Sequence, residues 1–137
     1  MEKKFLKKII AQTPEDLQII SACCADSKVK TSEIKYLASN KIFLMSLSRL
    51  DKENNDNSKS INSVVKFEFI ESSKAKNIDQ SDKELVLELL AIDIFKKEDN
   101  FEITLLFSKN RIITLSVEVI EVTLEDQKIT NDKSSLL

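Results

Sequence analysis

Residues 101–124 read FEITLLFSKNRIITLSVEVIEVTL, and their side-chain rhythm sets the backbone class of the chain. Phe101, Ile103, Leu105 and Phe107 alternate with Glu102, Thr104 and Ser108. That two-residue period belongs to extended backbone with one face buried. Lys109-Asn110 marks a turn, after which Ile113, Leu115, Val117 and Val119 repeat the inward alternation. The apolar set then changes phase to Ile120, Val122 and Leu124. An uninterrupted strand would present its second half inside out, so a β-bulge or bend is expected near Val119.

Working outward, Leu85, Leu87 and Leu89 fall on one face of an extended segment, with Val86, Leu90, Ile92 and Ile94 largely on the other. A strand apolar on both faces is expected at the centre of a sheet. The rival is a helix over 83–90, because Leu, Glu and Lys are good helix formers. Lys96 to Asn100 reads as a turn. Val65, Phe67 and Phe69 alternate with Lys66 and Glu68 as a half-buried strand. Residues 34–38 and 42–50 read as a hairpin whose Ser39-Asn40-Lys41 turn uses Asn where Gly is usual. Lys52 to Ser60 is a polar run expected to form a mobile loop, and Ser72 to Lys83 is a second polar stretch.

The helical signal lies near the N-terminus. Thr13 can cap, Pro14 suits the first helical position, and Glu15 and Asp16 meet the positive end of the dipole. A helix is predicted from about Pro14 to about Asp26, with Leu17, Ile20 and Cys24 as its buried stripe. Lys3 to Ala11 fits an edge strand or a helical turn equally well. The expected organisation is one globular domain over 1–127 and a flexible tail over 128–137, without internal repeats. The predicted class is α+β: a curved antiparallel sheet or partial barrel of six to eight strands, pleckstrin-homology-like in architecture, with one amphipathic helix.

Composition narrows the chemistry. Glycine is absent, which excludes glycine-rich phosphate loops in their usual form and leaves Asn, Asp or Lys for turns of positive φ. Histidine is also absent, removing the commonest general base and metal ligand. The two cysteines, Cys23 and Cys24, are adjacent and offer neither a disulfide framework nor spaced zinc ligands. They read as small buried hydrophobes, since the helix supplies no cause for a reactive, low-pKa thiol. A reducing compartment fits, and with no secretory or membrane-spanning run the expected location is cytoplasmic. Neither a cofactor nor a metal is expected.

Four residues stand out as candidate binding positions. Arg49 is one of two arginines in a lysine-rich chain; a solvated surface position is the leading reading, and a carboxylate or phosphate contact that Lys cannot reproduce is the rival. Asp93 interrupts an apolar run and would need a partner if half buried, although a strand end emerging into solvent also accounts for it. Glu118 and Glu121 flank the expected bulge, where paired carboxylates can perform acid/base work and surface acids are the ordinary alternative. Lys3, Lys4, Lys7 and Lys8 form one short basic cluster, too small in a chain of net charge -2 to predict nucleic-acid or membrane binding.

A family resemblance rests on Ile9-Ile10-Ala11, Glu15-Asp16-Leu17, Ser21-Ala22, Asp26, Phe43, Arg49, Leu89-Leu90-Ala91-Ile92, Thr104-Leu105-Leu106-Phe107, Val117-Glu118-Val119-Ile120-Glu121, Leu124 and Asp126. These resemble small bacterial proteins, mostly alphaproteobacterial, catalogued only as the domain of unknown function DUF2948. The resemblance runs from about Lys7 to Asp126. Similar proteins carry Asn-Arg-Phe and a nearby Trp where this chain has Ser48-Arg49-Leu50-Asp51-Lys52, and Gly-Gly where it has Lys109-Asn110. It implies no activity.

Three functions follow as expectations. The leading one is a non-enzymatic interaction module that binds a protein partner or itself through a sheet edge or the helix face. The second is a small-molecule or lipid-binding half-barrel with a cavity lined by Phe67, Phe69, Phe101 and Phe107. The third is an acid/base hydrolase using Glu118, Glu121 or Asp93.

Overall fold

The computed structural model describes residues 6–51 and 56–127. The tail over 128–137, Lys3, Lys4 and residues 52–55 of the expected loop lie outside the described residues. The described chain forms one curved, open antiparallel sheet and one α-helix. Its strands are β1 (Lys8–Ala11), β2 (Ser27–Lys30), β3 (Ile34–Leu37), β4 (Ile42–Asp51), β5 (Asp56–Phe67), β6 (Ile70–Lys76), β7 (Val86–Lys96), β8 (Phe101–Phe107), β9 (Arg111–Val117) and β10 (Val122–Asp126). They run in the spatial order β1-β10-β5-β4-β2-β7-β8-β9-β6, with β3 beside β4 and off this path. Ten strands exceed the six to eight expected, and a path open at β1 and β6 does not establish a pleckstrin-homology-like architecture.

The helix α1 spans Pro14–Cys24. The Thr13 hydroxyl accepts from the Asp16 N–H at 3.1 Å, and Leu17, Ile20 and Cys24 are the buried stripe. Burying Leu17 and Ile20 contributes roughly 2 kcal/mol each. The helix packs against β7, β1 and β4. β1 is an edge strand and β7 the sixth along the path, so a single helix reaches both only because the sheet curls. Inward positions from the whole sheet, including Met45, Phe67, Leu89, Leu105, Leu115 and Leu124, join the helix stripe in one apolar core.

Several sequence expectations need correction. The strand β5 begins at Asp56, inside the run expected to be a loop, because its partner β4 continues to Asp51. Residues 70–76 of the second polar stretch are β6, paired with β9. Phe69 is not the third buried residue of a strand. It sits exposed at φ 61° in the two-residue link from β5 to β6. The segment around β7 is extended, but its faces are unequal: Leu87 and Leu89 are buried, whereas Val86, Leu90 and Phe95 are exposed. A register shift between Leu89 and Ala91 turns Ile92 inward, and the Ile92 N–H donates to the Ser21 hydroxyl of the helix at 2.8 Å. The phase change near Val119 is a bend: the chain leaves β9 beside β8 and β6, and re-enters as β10 between β1 and β5.

Turn chemistry without glycine falls largely on the residue types expected. Left-handed φ occurs at Asp26, Lys41, Asn77, Lys109 and Asn110, with Phe69 as the bulky exception. In the β3–β4 hairpin that residue is Lys41 and not Asn40. Lys109 and Asn110, the last two of the three residues that link Phe107 to Arg111, have φ of 64° and 59° and are both left-handed. A left-handed conformation costs a residue with a Cβ about 1–2 kcal/mol, partly offset in glycine by its greater unfolded-state entropy. Lys109→Gly, at an exposed position, should therefore raise the urea-unfolding free energy by about 0.5–1 kcal/mol, and Lys109→Val should lower it.

Candidate functional site

Arg49, expected first of all to be solvated, is instead the largest fully buried side chain described, at 1% exposure. It meets a carboxylate, Asp126 of β10, in a bidentate pair: Nε lies 3.1 Å from Oδ1 and Nη2 lies 2.9 Å from Oδ2. Ser63 of β5, directly opposite Asp126, donates its hydroxyl to the same Oδ1 at 2.7 Å. The Lys7 N–H donates to Oδ2 at 2.9 Å, and the Asp126 N–H returns a bond to the Lys7 carbonyl. One cluster thus joins β4, β5 and β10 to the entry of β1. Burial acts to raise the Asp126 pKa. The hydrogen bonds from Arg49, Ser63 and Lys7, with the Arg49 charge, outweigh it and hold the carboxyl below the usual aspartate value. The arrangement serves the fold, because both charges are enclosed and point at each other.

The other three candidates are dispersed. Asp93 is exposed in the body of β7, short of the strand end. Glu118 is exposed in the β9–β10 bend, and Glu121 there accepts from the Gln12 side chain at 2.8 Å. No described hydrogen bond brings two of them together. Among the described residues no group of three or more potential ligands could hold a metal ion.

The feature that does form a site was not singled out in the sequence. β4 has β5 along one edge and shares its other edge between two short strands: β2 meets it at Ser48, and β3 pairs with residues 42–45. A 3₁₀ turn over Thr31–Glu33 separates them. β2 continues the sheet to β7, whereas β3 turns aside and, among the described residues, pairs with β4 alone. β6, at the opposite end of the path from β1, pairs among the described residues with β9 alone, and the curl of the sheet brings β3 and β6 across a cleft of about 470 Å³.

Side-chain size explains the hollow. Across β9, Ser73 and Ala75 of β6 stand opposite Leu115 and Ile113, and therefore point inward like these buried residues. Small groups occupy positions that Val or Leu would fill in a closed core. From the other lip Ile34 and Tyr36 point inward beside Met45 and Phe43. Phe43 and Ile113 line the floor, and Phe43 is steadied by an edge-to-face contact with Phe67, ring centres 5.8 Å apart. One end is clasped: the Ile70 N–H donates to the Lys41 carbonyl at 2.9 Å. The other end is bounded by residues 77–85, where Asp79 accepts from the Ser81 hydroxyl and N–H and the Thr31 hydroxyl donates to the Asp82 carbonyl at 2.6 Å. Those bonds from Ser81 hold Asp79 below the usual carboxylate range. Of the four phenylalanines expected to line a cavity, none lines this one, since Phe67 and Phe107 are consumed by the core.

A family model described as a protein of unknown function, DUF2948, matches residues 7–135. No curated protein matches the chain. A crystal structure of an uncharacterized protein from Neisseria gonorrhoeae is similar over 87% of this chain and 97% of that one, at 17% identity and a TM-score of 0.46. No described helix is long and apolar enough to cross a membrane.

Removing one partner of a buried ion pair strands the other charge in low dielectric, which costs about 3–5 kcal/mol. Asp126→Asn should lower the unfolding free energy by that order, read from urea midpoints. In the wild-type chain the Asp126 pKa is depressed on folding, so its contribution is complete above the unfolded aspartate value of about 3.9 and is lost as pH falls through the lower folded value. Urea midpoints stepped downward from pH 5 should show that loss in the wild type and a shallower acid limb in Asp126→Asn.

Proposed function

We propose, for a chain that belongs to the DUF2948 family of proteins of unknown function, that it is an interaction module whose cleft between β3 and β6 accepts an extended peptide segment. The observation that carries this reading is that β3 and β6, each with one edge unpaired among the described residues, face one another over an apolar floor. Backbone N–H and C=O groups along a free edge supply affinity for any extended chain, and side-chain pockets alternating along the strand supply selectivity. Here the inward pocket is already formed by Ser73 and Ala75. Sheets ordinarily protect an exposed edge with charge or irregularity; Lys74 and Lys76 do so on the outward positions of β6 while its inward positions stay small and neutral.

A second reading has its own support. The cleft volume falls within the range of about 300–1,000 Å³ usual for small-molecule pockets, so a compact, partly apolar ligand could take the same place.

The peptide reading is tested by selecting random linear peptides on display against the full chain and against an Ala75→Leu variant, which fills the cleft from an exposed strand position. The selected peptides should bind the wild type at least tenfold more tightly than the variant and slow amide exchange in β3 and β6. Equal binding to both proteins, failure to enrich any peptide, or protection confined to other strands would overturn it. A co-purifying small molecule displaced by Ala75→Leu would favour the second reading.

A further inference from the structure

The geometry points to an acidic segment as the cleft's occupant: an extended chain that adds to the free edge of β3 and sets its carboxylates against Lys35 and Lys83. This rests on the peptide reading of the cleft and adds the chemistry of the partner.

Charge around the cleft carries the argument. Of the residues that line it, Lys35 on the β3 lip and Lys83 in the loop beyond β6 are the charged ones, and both are exposed. Elsewhere Lys28, Lys30, Lys41, Lys66 and Lys97 sit beside Glu88, Glu84, Glu71, Glu68 and Glu102 at 3.4–3.9 Å, whereas Lys8, Lys74, Lys76, Lys96 and Lys109 have no carboxylate partner among the described residues. Among the described residues neither Lys35 nor Lys83 has such a partner, and Lys35 stands opposite Leu44. The acids of the bounding loop are turned to its own backbone: Asp79 accepts from Ser81, and Asp82 from the Glu84 N–H. The outward Lys74 and Lys76 of β6 add to the positive potential of the same opening. Lys35, Lys74, Lys76 and Lys83 thus outnumber Glu33, Asp79 and Asp82 around this opening, in a chain of net charge -2.

Strand alternation then specifies the partner's pattern. A segment lying along β3 would place every second side chain inward over Phe43 and Ile113, where an apolar group fits, and the intervening ones outward beside Lys35. Alternating apolar and acidic residues satisfy both faces. A basic segment would meet Lys35 and Lys83.

The test is fluorescence polarisation of three labelled synthetic peptides on the full chain, alternating Val with Glu, Val with Thr and Val with Lys. Two partly screened charge pairs predict that the Val-Glu peptide binds about tenfold more tightly than Val-Thr at low salt, with Val-Lys weakest and the advantage shrinking as salt is raised. The double variant Lys35→Glu and Lys83→Glu, both at exposed positions, should reverse the order. Equal affinity of Val-Thr and Val-Glu, with β3 amides protected by both, would overturn the acidic inference and leave the peptide cleft standing. An acidic preference unmoved by the double variant would also overturn it, by placing the contact elsewhere. Failure of all three peptides to protect β3 and β6 would overturn the peptide reading as well.

Discussion

A guanidinium cannot be enclosed in a β-sheet core without its counter-charge, and in this molecule that requirement ties β4 to β10. Arg49 and Asp126 are both almost wholly buried and face each other with β5 between their strands. Side chains alternate faces along a strand, so a one-residue slip of β4 against β5 would turn Arg49 outward and strand Asp126. The pair thereby makes one register much cheaper than its neighbours, whatever its net contribution to stability. Ser63 and the Lys7 backbone complete the carboxylate's hydrogen bonds and extend the constraint to the first strand.

With β4 held in that register, its remaining edge has to serve two short strands. β2 connects it to β7, β8, β9 and β6, and β3 is left beside residues 42–45 with no further strand neighbour among the described residues. The sheet curls enough for β6 to approach β3 and to be fastened at Ile70, yet the strands do not join along their length. The cleft is the gap that this division of β4 leaves in the curled sheet. Ser73 and Ala75 keep it open because their side chains are too small to meet Ile34 and Tyr36 across it.

Much of the local structure is legible from residue spacing. The Thr13–Pro14 start and the Leu17, Ile20, Cys24 stripe foretell the helix and its buried face. The alternation around Lys109-Asn110 foretells β8, its turn and β9. The β6 strand is not legible, since an edge strand with Ser and Ala inward and Lys outward lacks the apolar period by which strands are recognised. Its only signal is negative: a polar stretch in a chain short of loop-forming glycine. Arg49 could be marked as unusual, but Asp126 lies 77 residues along the chain and nothing local connects them.

Periodicity and turn chemistry, which act over a few residues, were enough to establish extended backbone for most of the chain, one amphipathic helix, and some of the sites where the chain reverses. They report which face of each element avoids water. Which strands become neighbours is settled by packing and hydrogen bonding between segments remote in sequence, because any extended backbone offers the same donors and acceptors to every other. The buried ion pair, the two free edges and the cleft between them belong to that second kind of information, and they exist only once the sheet has curled.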